Sequence, residues 1–267
     1  MLKAATLNEN LMAINIKVPY LPPLHELFDG HRHPEIKALH GIKQNPVFHP
    51  EGQADRHTYF VYEAARPIAQ RDFLSTTDTY ILVLAAVCHD LGKATTTELK
   101  DGVWVSPGHD KAGEKPTRSY LTRLGVTAEH QERIVCLVVN HMCHTFLKEN
   151  EIASKRVAAR LLQRLAGKTT LDELQRLVEA DKSGRPPLPK GVPSSFLRLR
   201  AVCEQVLEEQ RLAALVPPPL VTGKDLLGLG YPPGPGIGRG LQLIAEWQQQ
   251  GVVSTKEEAL TRLQFPT

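Results

Sequence analysis

The stretch LAAVCHDLGKATTTE, Leu84 to Glu98, carries an apolar helical pattern straight into a histidine and an aspartate, then a glycine and a lysine. Ile81, Leu82, Leu84 and Val87 mark the preceding helix as a buried one. Two readings of its end compete. In the first, His89 and Asp90 are a plain polar terminus, Gly92 is the C-cap and Lys93 answers the negative end of the helix dipole. In the second, the terminus delivers two metal ligands. Adjacent helical residues diverge by about 100°, so the pair can serve one ion only where the chain loosens at a helix end.

The rest of the chain bears on that choice. Its 267 residues suffice for one large domain, or a domain with an appendage, and for a well-buried core. A hydrophobic content of 42% and a charged content of 23% are ordinary for a globular protein. The longest apolar run, Tyr80 to Cys88, falls far short of the roughly 20 residues of a membrane span. No basic segment with a long apolar core opens the chain, so no signal peptide is expected. Cys88, Cys136, Cys143 and Cys203 lack the close spacing of a zinc or redox motif and sit in apolar helical patterns. They read as buried free thiols in a reducing, cytoplasmic protein. A net charge of +3 neither demands nor excludes a nucleic-acid partner, whereas 11 histidines stand out, and histidine is the commonest metal ligand.

The pattern is helical nearly throughout, which predicts an all-α fold. Residues 1–45 read as an irregular, proline-punctuated segment packed on the core, 46–184 as the main domain, and 194–267 as a smaller helical C-terminal region. The proline-rich joint Ser183 to Pro193 is the expected boundary. Helices are expected over about 55–66 (stopped or kinked at Pro67), 77–90, 114–124, 127–143, 152–165, 171–182, 195–212 and 239–249. Thr170 with Glu173, and Thr222 with Asp225, form capping-box patterns. Residues 96–107 form a polar connector with room for a small ribbon around Gly102. The glycines of GPGIGRG, Gly234 to Gly240, read as a structural turn before a helix, since no strand precedes them.

Further ligand candidates lie on the apolar faces of these helices. His57 shares a face with Phe60, Val61 and Ala64, Asp181 follows Leu174, Leu177 and Val178, and His141 follows Ile134, Leu137 and Val138. Each taken alone reads as a satisfied core polar group before it reads as a ligand, but a buried carboxylate is costly unless a cation or donor answers it. Three such groups together with the His89–Asp90 pair point to a metal site. Mixed nitrogen and oxygen ligands favour Mn, Co, Ni, Fe or Mg over a thiolate-bound structural zinc.

The order His…His-Asp…Asp on successive helices resembles the HD phosphohydrolase superfamily. The segments FHPEGQADRHT, HDLGKATT, GHDKAG, LVVNHM, EADKSGR, VTGKDLLGLGYPPGPGIGRGL and KEEAL resemble, in order, the HD domain and C-terminal region of bacterial CCA-adding tRNA nucleotidyltransferases over about residues 20–265. That resemblance implies an HD-domain helical bundle with a smaller helical C-terminal extension. It implies one or two divalent metal ions, with His57, His89, Asp90 and Asp181 as primary ligands and His109 and His141 at or near a second ion. It also implies hydrolysis of phosphomonoesters or phosphodiesters, 2′,3′-cyclic phosphates included. Those relatives carry an Asp-x-Asp pair in a preceding nucleotidyltransferase head, and this chain has none. It is therefore not expected to add nucleotides by itself. Pro116 departs from a regular helix and is expected to delay or kink it, which bears on the placement of His109.

In the corresponding mechanism the metal ion activates a water and Asp90 orients it. Lys93 and Arg185 are candidate contacts to substrate phosphate, Lys93 also as a catalytic cation, although a solvated lysine and a surface arginine are equal readings. Asp110 and Arg118 are candidates to face the cleft. Lys155, Arg156, Arg160 and Arg164 form a basic stripe at helical spacing that suits an RNA backbone or simply a solvated face. Expected partners are a phosphate-containing small molecule, an RNA end or tRNA, with no membrane. A non-catalytic tRNA- or RNA-binding module serving a separate nucleotidyltransferase head is the alternative.

Overall fold

The computed structural model describes residues 33–147, 149–215 and 217–264. Most of the expected irregular segment 1–45 lies outside the described residues. In chain order the elements are α1 (Pro34–Lys37), α2 (Ala54–Arg71), α3 (Thr76–Cys88), α4 (Lys93–Thr96), β1 (Glu98–Lys100), β2 (Val103–Val105), α5 (His109–Ala112), α6 (Glu114–Arg123) and α7 (Ala128–Asn140). A 3-10 turn (Cys143–Phe146), α8 (Glu151–Leu165), α9 (Leu171–Ser183), α10 (Ser194–Leu215), α11 (Gly223–Gly228), α12 (Pro235–Gln249) and α13 (Lys256–Gln264) follow. Among the described residues the fold is all-α apart from one two-stranded ribbon and an isolated bridge between Lys43 and Gln53.

Helix α3 explains why the bundle closes around it. Tyr80 to Cys88 is buried all the way round, as a helix with no polar face must be. Helices α2, α7 and α9 supply its neighbours, through Val61 and Ala65, Ile134 and Leu137, and Leu174 and Leu177. Ser75 starts α3 by accepting the main-chain N–H of Asp78 at 3.1 Å. The ribbon forms because Asp101 and Gly102 adopt φ of 51° and 78°, the left-handed pair of a tight hairpin, and it pairs Leu99 with Trp104.

Three local expectations are corrected. Helix α2 runs through Pro67 to Arg71, because Pro67 lies on the exposed face while Ala65, Ile68 and Ala69 hold both sides of it to the core. Pro116 is the third residue of α6, within the first turn, where main-chain N–H groups have no helical partner to lose. Gly92 has ordinary helical φ of −66° rather than the left-handed geometry of a C-cap. Its missing side chain matters for a different reason: a Cβ there would lie 2.0 Å from the His109 carbonyl oxygen. Gly184 is similar, since its Cβ would fall 2.4 Å from Val61 Cγ2, so only glycine lets the end of α9 close on α2.

The Thr170 hydroxyl caps α9 by accepting the Glu173 N–H at 3.2 Å. The reciprocal half of that capping box is not formed, because the Glu173 carboxylate binds Arg133. At α11 Asp225 accepts from both the N–H and the hydroxyl of Thr222 at 2.7 Å. The four cysteines are free and buried. Among the described residues no helix is long and apolar enough to cross a membrane.

Residues 1–207 and 208–267 are two compact units. The division falls inside α10, because Phe196, Leu199, Cys203 and Val206 belong to the first core. In the second unit Val221, Leu226, Ile244, Val253 and Ala259 form a small core of their own.

Within the first unit, ion pairs tie the helices together at the start of α3. Arg71 grips both Glu179 oxygens at 2.6 and 3.0 Å, Arg176 Nε donates to Asp72 at 2.7 Å, and Arg133 bridges Asp78 and Glu173. Burial opposes ionisation of Asp78 and Glu173. Hydrogen bonds outweigh it, from Ser75 and Arg133 for Asp78 and from Arg133 and Thr169 for Glu173, and hold both carboxyls below their ordinary values. The unfolded chain therefore takes up protons at these groups first, so their contribution is complete above about pH 5 and is lost as pH falls further. Urea unfolding between pH 7 and pH 3 should show this fall, with a shallower acid limb for Glu173→Gln. An unchanged acid limb would mean that the bridge does not stabilise the fold.

Candidate metal centre

Four helix ends bring the ligand candidates together. His57 lies on the first turn of α2, His89 directly follows α3, His141 directly follows α7, and Asp181 is on the last turn of α9. His109 opens the short helix α5. After Cys88 the chain tightens into i→i+3 turns, with Leu91 N–H on the Cys88 carbonyl and Lys93 N–H on the Asp90 carbonyl. This change of winding turns both His89 and Asp90 inward. All six side chains are buried, and His57 and His89 are 0% exposed.

The hydrogen bonds specify which ring atoms face the centre. His89 Nδ1 meets the Ala86 carbonyl at 2.8 Å, His109 Nδ1 the Ser106 carbonyl at 2.8 Å, and His141 Nδ1 the Val138 carbonyl at 2.7 Å. His57 Nδ1 lies 2.8 Å from Glu51 Oε1 and 3.2 Å from the Gly184 carbonyl. A carbonyl only accepts, so each Nδ1 carries a proton and each neutral ring presents its Nε2 lone pair inward.

These lone pairs collide. His57 and His89 Nε2 are 3.3 Å apart, and His109 and His141 Nε2 are 3.2 Å apart. Asp90 lies between the two pairs. Its Oδ2 is 3.2 Å from His89 Nε2 and 3.6 Å from His57 Nε2, while its Oδ1 is 3.2 Å from His109 Nε2 and 4.0 Å from His141 Nε2. Asp181 Oδ1 adds an oxygen 3.0 Å from His57 Nε2. Converging acceptors repel one another unless a cation or a proton sits among them. The donor set therefore fits divalent ions, as two groups sharing Asp90: His57 and His89 on one side, His109 and His141 on the other.

Neighbouring side chains hold these groups in ligand form. Burial works against ionisation of Asp90, but His89 and Lys93 outweigh it and keep the carboxyl well below its ordinary range. Arg185 and His57 do the same for Asp181. Burial, reinforced by His109 and His89, pushes His141 down to about 3, so it is neutral and free to donate its lone pair. His57 goes the other way: Asp181 and Glu51 overcome burial and raise its pKa. A cation would compete there with a proton, which couples metal binding to pH.

The remaining candidates divide clearly. Lys93 is 6% exposed, with Nζ 2.6 Å from Asp90 Oδ2 and 2.6 Å from Gln44 Oε1. This excludes the solvated-lysine reading. Arg185 Nη2 grips both Asp181 oxygens at 2.6 and 2.7 Å, so Arg185 also reaches the centre. Arg118 does not: it pairs with Glu114 and Glu132, and these two carboxylates satisfy the charge expected to face the cleft. Asp110 is buried and pairs with Lys111 at 3.6 Å rather than with any ligand candidate. Arg156, Arg160 and Arg164 are exposed on one face of α8, and Arg164 Nε donates to Asn140 at 2.8 Å.

Sequence reasoning missed Glu51 and His49. The Glu51 side chain is fully buried, and its Oε1 lies 2.8 Å from the Nδ1 atoms of both His49 and His57. Burial resists, but these two histidines bring Glu51 down to about 2. A carboxylate on the outer nitrogen of a ligating imidazole fixes its tautomer and strengthens it as a ligand. The signal was a histidine and a glutamate eight and six residues before His57, in a segment with no helical period to reveal its inward face.

A helical bundle whose helix ends converge in a buried His/Asp centre defines a metal-binding HD-type fold. Residues 54–185 match the HD domain, and the chain is an HD-domain protein. It is 30% identical over 182 residues to the A-adding tRNA nucleotidyltransferase of Deinococcus radiodurans, covering 67% of this chain and 40% of that protein. It is 31% identical over 159 residues to the multifunctional CCA protein of Xylella fastidiosa, covering 57% of this chain and 34% of that protein. To the multifunctional CCA protein of Haemophilus influenzae it is 34% identical over 151 residues, covering 52% and 33%. The match thus spans between a third and two fifths of these relatives' length. HD domains are generally hydrolase-like, and this chain retains a His/Asp cluster able to hold a metal.

Replacing Glu51 by Gln keeps the shape of the side chain and removes its charge. Mn²⁺ affinity measured by equilibrium dialysis should fall by about 10- to 100-fold, and the metal-free chain should also lose stability at neutral pH, because the lowered pKa of Glu51 contributes to folding. Affinity equal to wild type would show that Glu51 does not support His57.

Proposed function

We propose that this chain is a metal-dependent phosphohydrolase acting on phosphomonoesters or phosphodiesters of nucleotides or RNA ends, 2′,3′-cyclic phosphates included. The single observation that carries this reading is the inward convergence of four imidazole Nε2 atoms on the two oxygens of Asp90. A structural ion needs no such set of carboxylate and imidazole donors around one shared oxygen pair, and small structural sites lean on cysteine. Here all four cysteines are free.

A divalent ion in this site supplies Lewis acidity and lowers the pKa of a water near neutral pH. His57, His89, Asp90 and Asp181 hold it, and His109 and His141 offer places for a second. Asp90, kept ionised by Lys93 and His89, accepts a hydrogen bond from the attacking water and orients it. Lys93 puts a positive charge beside Asp90 where negative charge grows on the phosphoryl oxygens. Arg185, already anchored on Asp181, contacts the phosphate itself.

The decisive measurement is bound metal followed by hydrolysis of a phosphomonoester, a phosphodiester and a 2′,3′-cyclic nucleotide. Wild type supplied with Mn²⁺, Co²⁺, Ni²⁺ or Mg²⁺ should hydrolyse at least one, and Asp90→Ala should lose more than about 10²-fold in rate. If the metal-supplied chain leaves all three intact, the enzyme reading fails. What would remain is a tRNA- or RNA-binding module working with a separate nucleotidyltransferase head.

RNA contact has its own support in the exposed arginines of α8 and in relatives named for tRNA. Replacing Arg156, Arg160 and Arg164 by Gln should reduce the slope of log affinity against log salt by about 2–3. An unaltered slope removes this face from the RNA surface.

A further inference from the structure

A hollow of about 290 Å³ opens beside the start of α3, within the first unit. Half of its lining is apolar: Leu74, Ile81, Leu82 and Leu137. The other half is charged, with Asp78 and Glu173 beside Arg133 and Arg176. His89 and Asp90 follow the opposite end of α3, whose 13 residues make about 20 Å of helix. The hollow is therefore a place apart from the metal centre.

The hydrogen bonds of its charged half are unevenly distributed. Both carboxylates are fully engaged. Asp78 accepts from the Ser75 hydroxyl at 2.6 Å and from Arg133 Nη2. Glu173 accepts from Arg133 Nη2 at 2.6 Å and from Arg133 Nε at 3.0 Å. The guanidiniums are not. Arg176 engages only Nε, on Asp72 at 2.7 Å, so neither of its Nη atoms has an acceptor among the described residues. Arg133 Nη1 has none either. Both side chains are partly exposed, which leaves these N–H groups to water.

The backbone beside the hollow adds a separate observation. Phe73 lies between Asp72, the anchor of Arg176, and Leu74, part of the lining. Its φ is 51° and it is 93% exposed. A bulky residue in the left-handed region is an outlier, and such outliers cluster at ligand-holding sites.

We propose that this hollow binds a small organic carboxylate with a compact apolar body. Its unengaged groups are donors, so an anion finds partners there and an ammonium finds no acceptor. The apolar half of the lining suits a hydrocarbon body, which an inorganic anion lacks. Asp78 and Glu173 favour a ligand with one negative charge over the nearly double charge of a phosphomonoester. A carboxylate also matches the guanidinium fork with two parallel hydrogen bonds. This site stands whether or not the metal centre hydrolyses phosphate esters.

The probe is 3-phenylpropanoate, titrated into the full chain by calorimetry. Two companions lack one feature each: 3-phenylpropan-1-ol lacks the charge, and acetate lacks the body. One equivalent of the probe should bind about tenfold or more tighter than either companion, the scale of one hydrogen bond to a charged group. Arg176→Gln should weaken the probe by about ten- to hundredfold, while Arg185→Gln, at the metal centre, should leave it within twofold. Leu74→Trp fills the hollow from its half-buried edge, keeps both arginines and should abolish binding. It decides the matter if Arg176→Gln does not fold. Mn²⁺ affinity within twofold of wild type in Arg176→Gln and Leu74→Trp shows that the bundle is intact.

A probe that binds no tighter than the alcohol or acetate overturns the site. So does binding that is unaltered in Arg176→Gln or in Leu74→Trp. Binding lost in Arg185→Gln alone would put the anion at the metal centre and overturn the site equally.

Discussion

Six buried side chains point electron pairs at one another in the middle of this bundle. The Nε2 atoms of His57 and His89 approach to 3.3 Å and those of His109 and His141 to 3.2 Å, with the Asp90 carboxylate between the pairs. An arrangement that costs this much without a cation is stabilised by one, and the surroundings are built to hold it ready. Three imidazoles are turned by their own main-chain carbonyls three residues back, His57 by Glu51 and Gly184, and the two aspartates are kept ionised by Lys93 and Arg185.

The fold serves this convergence in detail. Helix α3 has no polar face and must be central, so its end is the natural place to bury a pair of ligands. Gly92 lets the turn after that helix touch the turn that carries His109, where a Cβ would lie 2.0 Å from a carbonyl oxygen. Gly184 lets the end of α9, with Asp181 three residues earlier, close on α2 beside His57. Two glycines, both with ordinary negative φ, thus act as points of contact between ligand-bearing segments. Chain flexibility has no part in their role.

Much of this was legible before any coordinates. His57, Asp181 and His141 stood on apolar helical faces, and the His89–Asp90 pair ended the most apolar helix in the chain. Periodicity works for these residues because they lie on or directly after regular helices. It fails for Glu51, His49 and Gln44, which sit in a segment with no period at all. It fails also for charge pairing. Arg118 and Arg185 look alike in sequence, yet one is satisfied by Glu114 and Glu132 and the other is anchored on a ligand.

By itself the sequence determined an all-α chain, a buried central helix and the inward faces of His57, His141 and Asp181, because hydrophobic periodicity and residue chemistry are local properties, whereas His109 entered only through the family resemblance. Only the tertiary structure decided that Asp90 is shared between two histidine pairs and that Lys93 is buried against it. It alone showed Glu51 standing behind His57, and the division of the chain within α10. These depend on distances between residues far apart in the chain, which no local pattern encodes. The helix end at His89 and Asp90 is therefore polar for a reason that lies partly on three other helices.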